Sequence, residues 1–81
     1  MFLEVVTPSK KVFQGEVSVV TFPGVDGSFQ VMNDHSPLVS TLKKGELTYK
    51  TSKGENSVEI TGGVVEVLNN KIVVLADGVT E

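Results

Sequence analysis

The chain has no cysteine and no tryptophan, and only one tyrosine and one histidine in 81 residues. The absence of cysteine excludes disulfide staples and thiolate metal sites, and it fits a reducing compartment. A lone histidine without cysteine cannot close a zinc site. Asp26, Asp34 and Asp77 are scattered rather than spaced as a calcium loop, so no metal or other cofactor is expected. So little indole and phenol leaves no platform for stacking on bases or sugars. The net charge of −3 argues against a nucleic-acid binder, whose phosphate contacts need a basic face. Long apolar runs are missing as well. No window approaches the roughly 18 apolar residues of a membrane helix. The opening "MFLEVV" carries Glu4 where a signal peptide would stay apolar. These absences predict a soluble cytoplasmic protein. At this size about 60% of the unfolded chain's surface is buried on folding, so the core is thin and a deep substrate pocket has little room.

What is present is a β pattern. Valine is abundant, and short apolar runs are broken by Gly, Asn, Asp and Pro. The runs predict strands over Phe2–Val6, Lys11–Phe13, Glu16–Phe22, Ser28–Met32, Leu38–Leu42, Glu46–Thr51, Ser57–Thr61, Val64–Leu68 and Lys71–Ala76. Turns are expected at Gln14-Gly15, at Asp26-Gly27 and in "NDHSP" (Asn33 to Pro37), and Pro23-Gly24 is expected to close the strand before it. Asn69-Asn70 suits a type I′ hairpin turn, because asparagine tolerates the left-handed conformation. Gly62-Gly63 marks a bulge or a corner. The expected fold is all-β, a small sandwich filling residues 1–81 as one domain. No segment has helical periodicity.

One strand has more apolar surface than a lone sandwich requires. In "KIVVLA", Ile72, Val74 and Ala76 share one face while Val73 and Leu75 share the other. A two-layer sandwich buries one face of each sheet. The second face is covered either by a loop or sandwich edge, or by a partner.

The stretch "PGVDGSFQVMNDHSPL", Pro23 to Leu38, holds the chain's only acid–histidine neighbours, Asp34-His35. Adjacent side chains of an extended segment point to opposite faces, which places the pair poorly for a dyad. No cysteine or nucleophile-elbow serine completes it. "PGVDGSF" also lacks the Gly-Lys-Ser/Thr ending of a phosphate loop. No catalytic residue is expected, and binding or structure becomes the default.

The order of the pieces resembles the epsilon subunit of bacterial and chloroplast rotary ATP synthases. The resemblance runs through "LEVVTP", "VFQGEV", "FPGVDGSFQVMNDHSPLVSTLKKGEL" and "TGGVVEVLNNKIVVLAD". It implies the family's N-terminal β-sandwich of about ten short, mostly antiparallel strands. It also implies a non-catalytic central-stalk role, docking the gamma subunit onto the membrane c ring and coupling ion flow to ATP synthesis. The protein would be peripheral, on the cytoplasmic face of the bacterial inner membrane. Position by position, Asp26, Gly27 and Ser28 match the ring-facing loop. His35, Ser36, Pro37, Leu38, Val39, Leu42, Ala76, Asp77 and Gly78 match regions toward gamma. Gln30 replaces a common glycine, which raises the question of backbone strain. Asn33-Asp34 replaces a common Pro-Gly. Family members usually continue after "LAD" into a helical hairpin that inhibits hydrolysis; a chain ending at Glu81 would lack that route. The alternative reading is a free-standing β-sandwich that binds a ligand.

Overall fold

The computed structural model describes residues 1–80, all strands and connections. The strands are β1 (Phe2–Val6), β2 (Lys11–Glu16), β3 (Val19–Gly24), β4 (Gly27–Met32) and β5 (Leu38–Leu42). Then come β6 (Gly45–Thr51), β7 (Gly54–Ile60), β8 (Gly63–Leu68), β9 (Lys71–Ala76) and β10 (Val79–Thr80). Hydrogen bonds link them in the order β10-β7-β6-β3-β5-β8-β9-β1-β2, with β4 on the other side of β3. The sheet folds over on itself where Gly24 of β3 meets Leu42 of β5. One layer is β4-β3-β6-β7-β10 and the other is β5-β8-β9-β1-β2. All ladders are antiparallel except β1 against β9.

Period-two alternation builds the core. β8 reads buried-exposed through its six residues, and Val65 and Val67 point inward. Ile72, Val74 and Ala76 do the same in β9, and Leu3 and Val5 in β1. From the facing layer come Val20, Phe22, Val31, Leu47 and Ile60, all with no exposed surface. Phe22 and Phe29 meet across the β3–β4 pair with ring centroids 5.3 Å apart. Phe13 and Tyr49 meet at 4.3 Å and close the opening between β2 and β6. Each fully buried side chain of this kind contributes roughly 1.5–3 kcal/mol.

Several strand limits differ from the sequence reading. Gln14-Gly15 does not turn; β2 runs on to Glu16, because Leu3 and Glu4 of β1 pair with those residues. The chain then bends at Val17-Ser18, where Val17 donates its N–H to the Met1 carbonyl and Ser18 donates to that of Lys50. β3 therefore starts at Val19 instead of Glu16. Pro23 and Gly24 remain inside β3: the Pro23 carbonyl accepts the N–H of Lys43 while Gly24 pairs with Gly27 and Leu42. The tight turn is Val25-Asp26, and Gly27, at φ 129°, opens β4. β7 begins earlier than predicted, at Gly54. β10 escaped the sequence reading because two residues carry no periodicity. Asn69 and Asn70 do take the left-handed conformation, at φ 51° and 63°. Gly62-Gly63 is the corner between β7 and β8. Gln30 is not among the residues with positive φ, so no strain attaches to it.

Candidate functional site

The sandwich has two ends. At one end lie the Val25-Asp26 turn, Lys43-Lys44, Thr61-Gly62 and Asp77-Gly78. They are held together by short bonds: Val25 N–H to the Thr41 carbonyl at 3.1 Å, Lys43 to Pro23 at 2.9 Å, and Asp77 to Gly62 at 2.9 Å. At the other end lie the loop 33–37 and the Asn69-Asn70 turn. There the Asp34 N–H donates to Asn70 Oδ1 at 2.8 Å, and Asn70 Nδ2 donates to Asn33 Oδ1 at 3.2 Å. Asp34 sits at φ 63°.

This geometry separates the residues singled out in the sequence. Asp26, Gly27 and Ser28 are exposed at the first end, the end that also carries Asp77 and Gly78. His35, Ser36 and Pro37 sit at the opposite end. Leu38 to Leu42 span the distance between the two. Within that span Val39 points outward and is 69% exposed, whereas Leu42 and Ala76 are core residues. Leu38 is half-buried against the core. Asn33-Asp34 forms the turn expected of "NDHSP", with Asp34 left-handed and His35 following it. His35 Nδ1 is 2.7 Å from the Ser36 carbonyl, a local bond that occupies the ring.

What connects the two ends is the outer face of β5-β8-β9-β1. Register places Val6, Leu75, Val64 and Thr41 in one row across four strands. The next row holds Glu4, Val73, Glu66 and Val39. Leu75 is 58% exposed and Val64 40%. The second face of "KIVVLA" is thus open, with no loop covering Leu75. The site residues read from the sequence omitted Val6 and Val64. Their apolar side chains look like ordinary strand alternation until the β8–β9 register sets them beside Leu75.

The rest of the described surface carries shallow clefts. A shallow cleft of about 460 Å³ between β2 and the β6–β7 hairpin is lined by Phe13, Gly15, Lys53 and Asn56, among others. Its lining also holds Thr51, Ser52, Glu16 and Glu55, but the Thr51 hydroxyl donates to the Gly54 carbonyl rather than to a carboxylate. Among the described residues no three His, Asp or Glu side chains converge as metal ligands, and no helix is long and apolar enough to cross a membrane. Tyr49 is the one phenol, and burial pushes its pKa up.

Comparison with known proteins gives a consistent result. Residues 1–81 match the family model described as the ATP synthase Delta/Epsilon chain, beta-sandwich domain. The chain is 46% identical over 79 residues to the ATP synthase epsilon chain of Chlorobium limicola, covering 96% of this chain and 90% of that one. It is 40% identical over 77 residues to the epsilon chain of Maridesulfovibrio salexigens, covering 95% of this chain but only 54% of the relative, so it spans about half that protein's length. Two solved structures share the fold. A chain in the central stalk/c-ring structure of Tetrahymena thermophila mitochondrial ATP synthase superposes with a TM-score of 0.84 at 18% identity, covering 99% of this chain and 65% of that one. A chain in the Euglena gracilis mitochondrial ATP synthase OSCP/F1/c-ring structure gives 0.88 at 20% identity, covering 96% and 51%.

Proposed function

The chain belongs to the ATP synthase delta/epsilon family, and from that premise we propose that it is a non-catalytic rotor subunit. In this reading residues 1–81 form one epsilon-type sandwich that docks the gamma subunit onto the membrane c ring. It couples ion flow to ATP synthesis by transmitting torque, at the cytoplasmic face of the bacterial membrane and without entering the bilayer. Asp26, Gly27 and Ser28 meet the polar loops of the ring. Gamma takes the long dimension of the sandwich: the His35–Leu42 segment, the outer sheet face, and Asp77-Gly78 at the same end as the ring-facing turn. The buried Leu42 and Ala76 contribute there by holding their strands in register.

The observation that carries this reading is the open apolar row Val6, Leu75 and Val64, flanked by Val39. Contiguous exposed aliphatic side chains on a small protein mark a contact surface. Glu4 and Glu66 stand among them, so the complementary surface is apolar with basic groups at its rim. The test is co-elution with the gamma subunit of the same organism on gel filtration. The wild-type chain is expected to co-elute, and Leu75→Lys to elute alone while remaining folded. Independent elution of the wild type at micromolar concentration would overturn the reading.

A further inference from the structure

Among the described residues β2, β10 and β4 end the hydrogen-bonded order, and two of these three are guarded. β2 carries Lys11, Gln14 and Glu16, and its register against β1 slips between Val5 and Val6. Lys11 is tied to Glu4 at 3.4 Å and to Gln14 at 2.6 Å along that flank. β10 is only two residues long. Charges, bulges and brevity are the usual devices that keep a sheet edge from pairing with another chain. β4, "GSFQVM", has none of them. It is six residues long, uncharged and free of proline, and it pairs only with β3.

The direction of its free groups can be read from its partner. Pro23 has no N–H, and its carbonyl is taken by Lys43, so Pro23 faces away from β4. In an antiparallel ladder its opposite number, Ser28, then faces away from β3. Gln30 and Met32 follow at the same parity. The Met32 carbonyl accepts the His35 N–H at 3.2 Å. Ser28 and Gln30 are left with both their N–H and C=O groups directed outward.

We propose that β4 pairs with β4 of a second copy of this chain, antiparallel about a twofold axis at Phe29. That register sets Ser28 opposite Gln30 of the second copy and Gln30 opposite its Ser28. Four N–H···O bonds then use every free group on the two residues. Phe29 faces Phe29 at the closer, non-hydrogen-bonded spacing. Its ring is half-buried against Phe22. Val31 faces Gly27, which has no side chain to obstruct it. Asp26 meets Met32 and not another acid, so no like charges oppose. A second copy suits this edge because the contact is isologous and needs no complementary charge. On the rotor reading above, pairing hides Ser28, one of the ring-facing residues. The dimer would then be the unassembled form and the monomer the rotor form.

Sedimentation of the 81-residue chain alone, from micromolar to millimolar concentration, tests the pairing without any rotor partner. A reversible monomer–dimer equilibrium is expected. Gln30→Pro removes one outward N–H at an edge position where the monomer does not use it, and should weaken the dimer about tenfold or more. The double variant Ser28→Lys with Gln30→Lys should do the same through charge repulsion, should proline disturb the strand. A wild-type chain that stays monomeric to millimolar concentration overturns the proposal. So does a dimer that survives both folded variants, or one abolished instead by Leu75→Lys. Failure here leaves the gamma co-elution result untouched, so the two readings fail separately.

Discussion

The backbone of Gly63 lies against the carbonyl of Leu75 so closely that a methyl group on Gly63 would clash with that oxygen. Gly63 also holds φ at 151°, a conformation that L side chains rarely adopt. The pair locks the first rung of the β8–β9 hairpin at the end where Asp77 turns toward β10. Gly63→Ala is therefore expected to destabilise the fold by more than about 2 kcal/mol, from the clash and the backbone strain together. Gly54, at φ 127° with nothing within 4 Å of its would-be methyl, is the control. Gly54→Ala should lose only about 1 kcal/mol, the conformational part alone. Urea denaturation of both variants measures the difference.

Leu75 and Val74 are neighbours in sequence with opposite fates. Val74 has no exposed surface and Leu75 is 58% exposed. Val74→Ala should lower stability by about 1–3 kcal/mol through a cavity in the core. Leu75→Lys should change it by no more than about 0.5 kcal/mol. Thermal unfolding of the two variants checks this. A large loss in Leu75→Lys would mean that the outer face is packed by the chain itself.

Tyr49 gives the fold an alkaline limit. Burial raises its pKa above the ordinary 10.0, so the folded chain holds the phenolic proton more tightly than the unfolded chain does. The contribution is fully present below the unfolded pKa and is lost as pH rises through it toward the folded value. Stability should thus fall above pH 10 more steeply in the wild type than in Tyr49→Phe, which keeps the ring against Phe13. Denaturation midpoints at pH 8 and above pH 10, compared between the two proteins, measure it; parallel pH profiles would contradict it.

Asn70 does two jobs, and two variants separate them. Its backbone is left-handed at φ 63°, and its side chain bridges Asp34 and Asn33. Asn70→Gly keeps the turn and removes the bridge, which should lower stability by about 1 kcal/mol. Asn70→Val removes both and should lose clearly more, since a β-branched residue resists that conformation. Hydrogen exchange at the Asp34 amide should accelerate in both variants.

Much of this fold was legible because it rests on alternation and on turn residues. The β8–β9 hairpin follows from "VVEVL", "NN" and "KIVVLA" alone. The parity of "KIVVLA" also showed an apolar second face, while leaving open whether a loop, the sandwich edge or a partner covers it. What failed was local information overruled by a distant partner. Gln14-Gly15 has the composition of a turn, yet β1 recruits both residues into a ladder. Pro23-Gly24 has the composition of a stop, yet β3 needs only the carbonyl of Pro23. The site was legible in parts. The outward direction of Val39 follows from its strand, but the meeting of Val6, Val64 and Leu75 depends on three register choices that no short window contains. The sequence also gave no sign that His35–Pro37 and Asp77-Gly78 stand at opposite ends.

The one parallel ladder carries a temporal consequence. Phe2 lies opposite Lys71 and Val6 opposite Leu75, so β1 has its place between β2 and β9 only once β9 has been made. On the ribosome the first strand can form a hairpin with β2 but waits for β9 before its other side is filled. Ladders closed over such separations form slowly. Leu3 and Val5, fully buried in the finished core, stay open on their β9 side until that ladder closes, which leaves short aliphatic strands exposed in the interval.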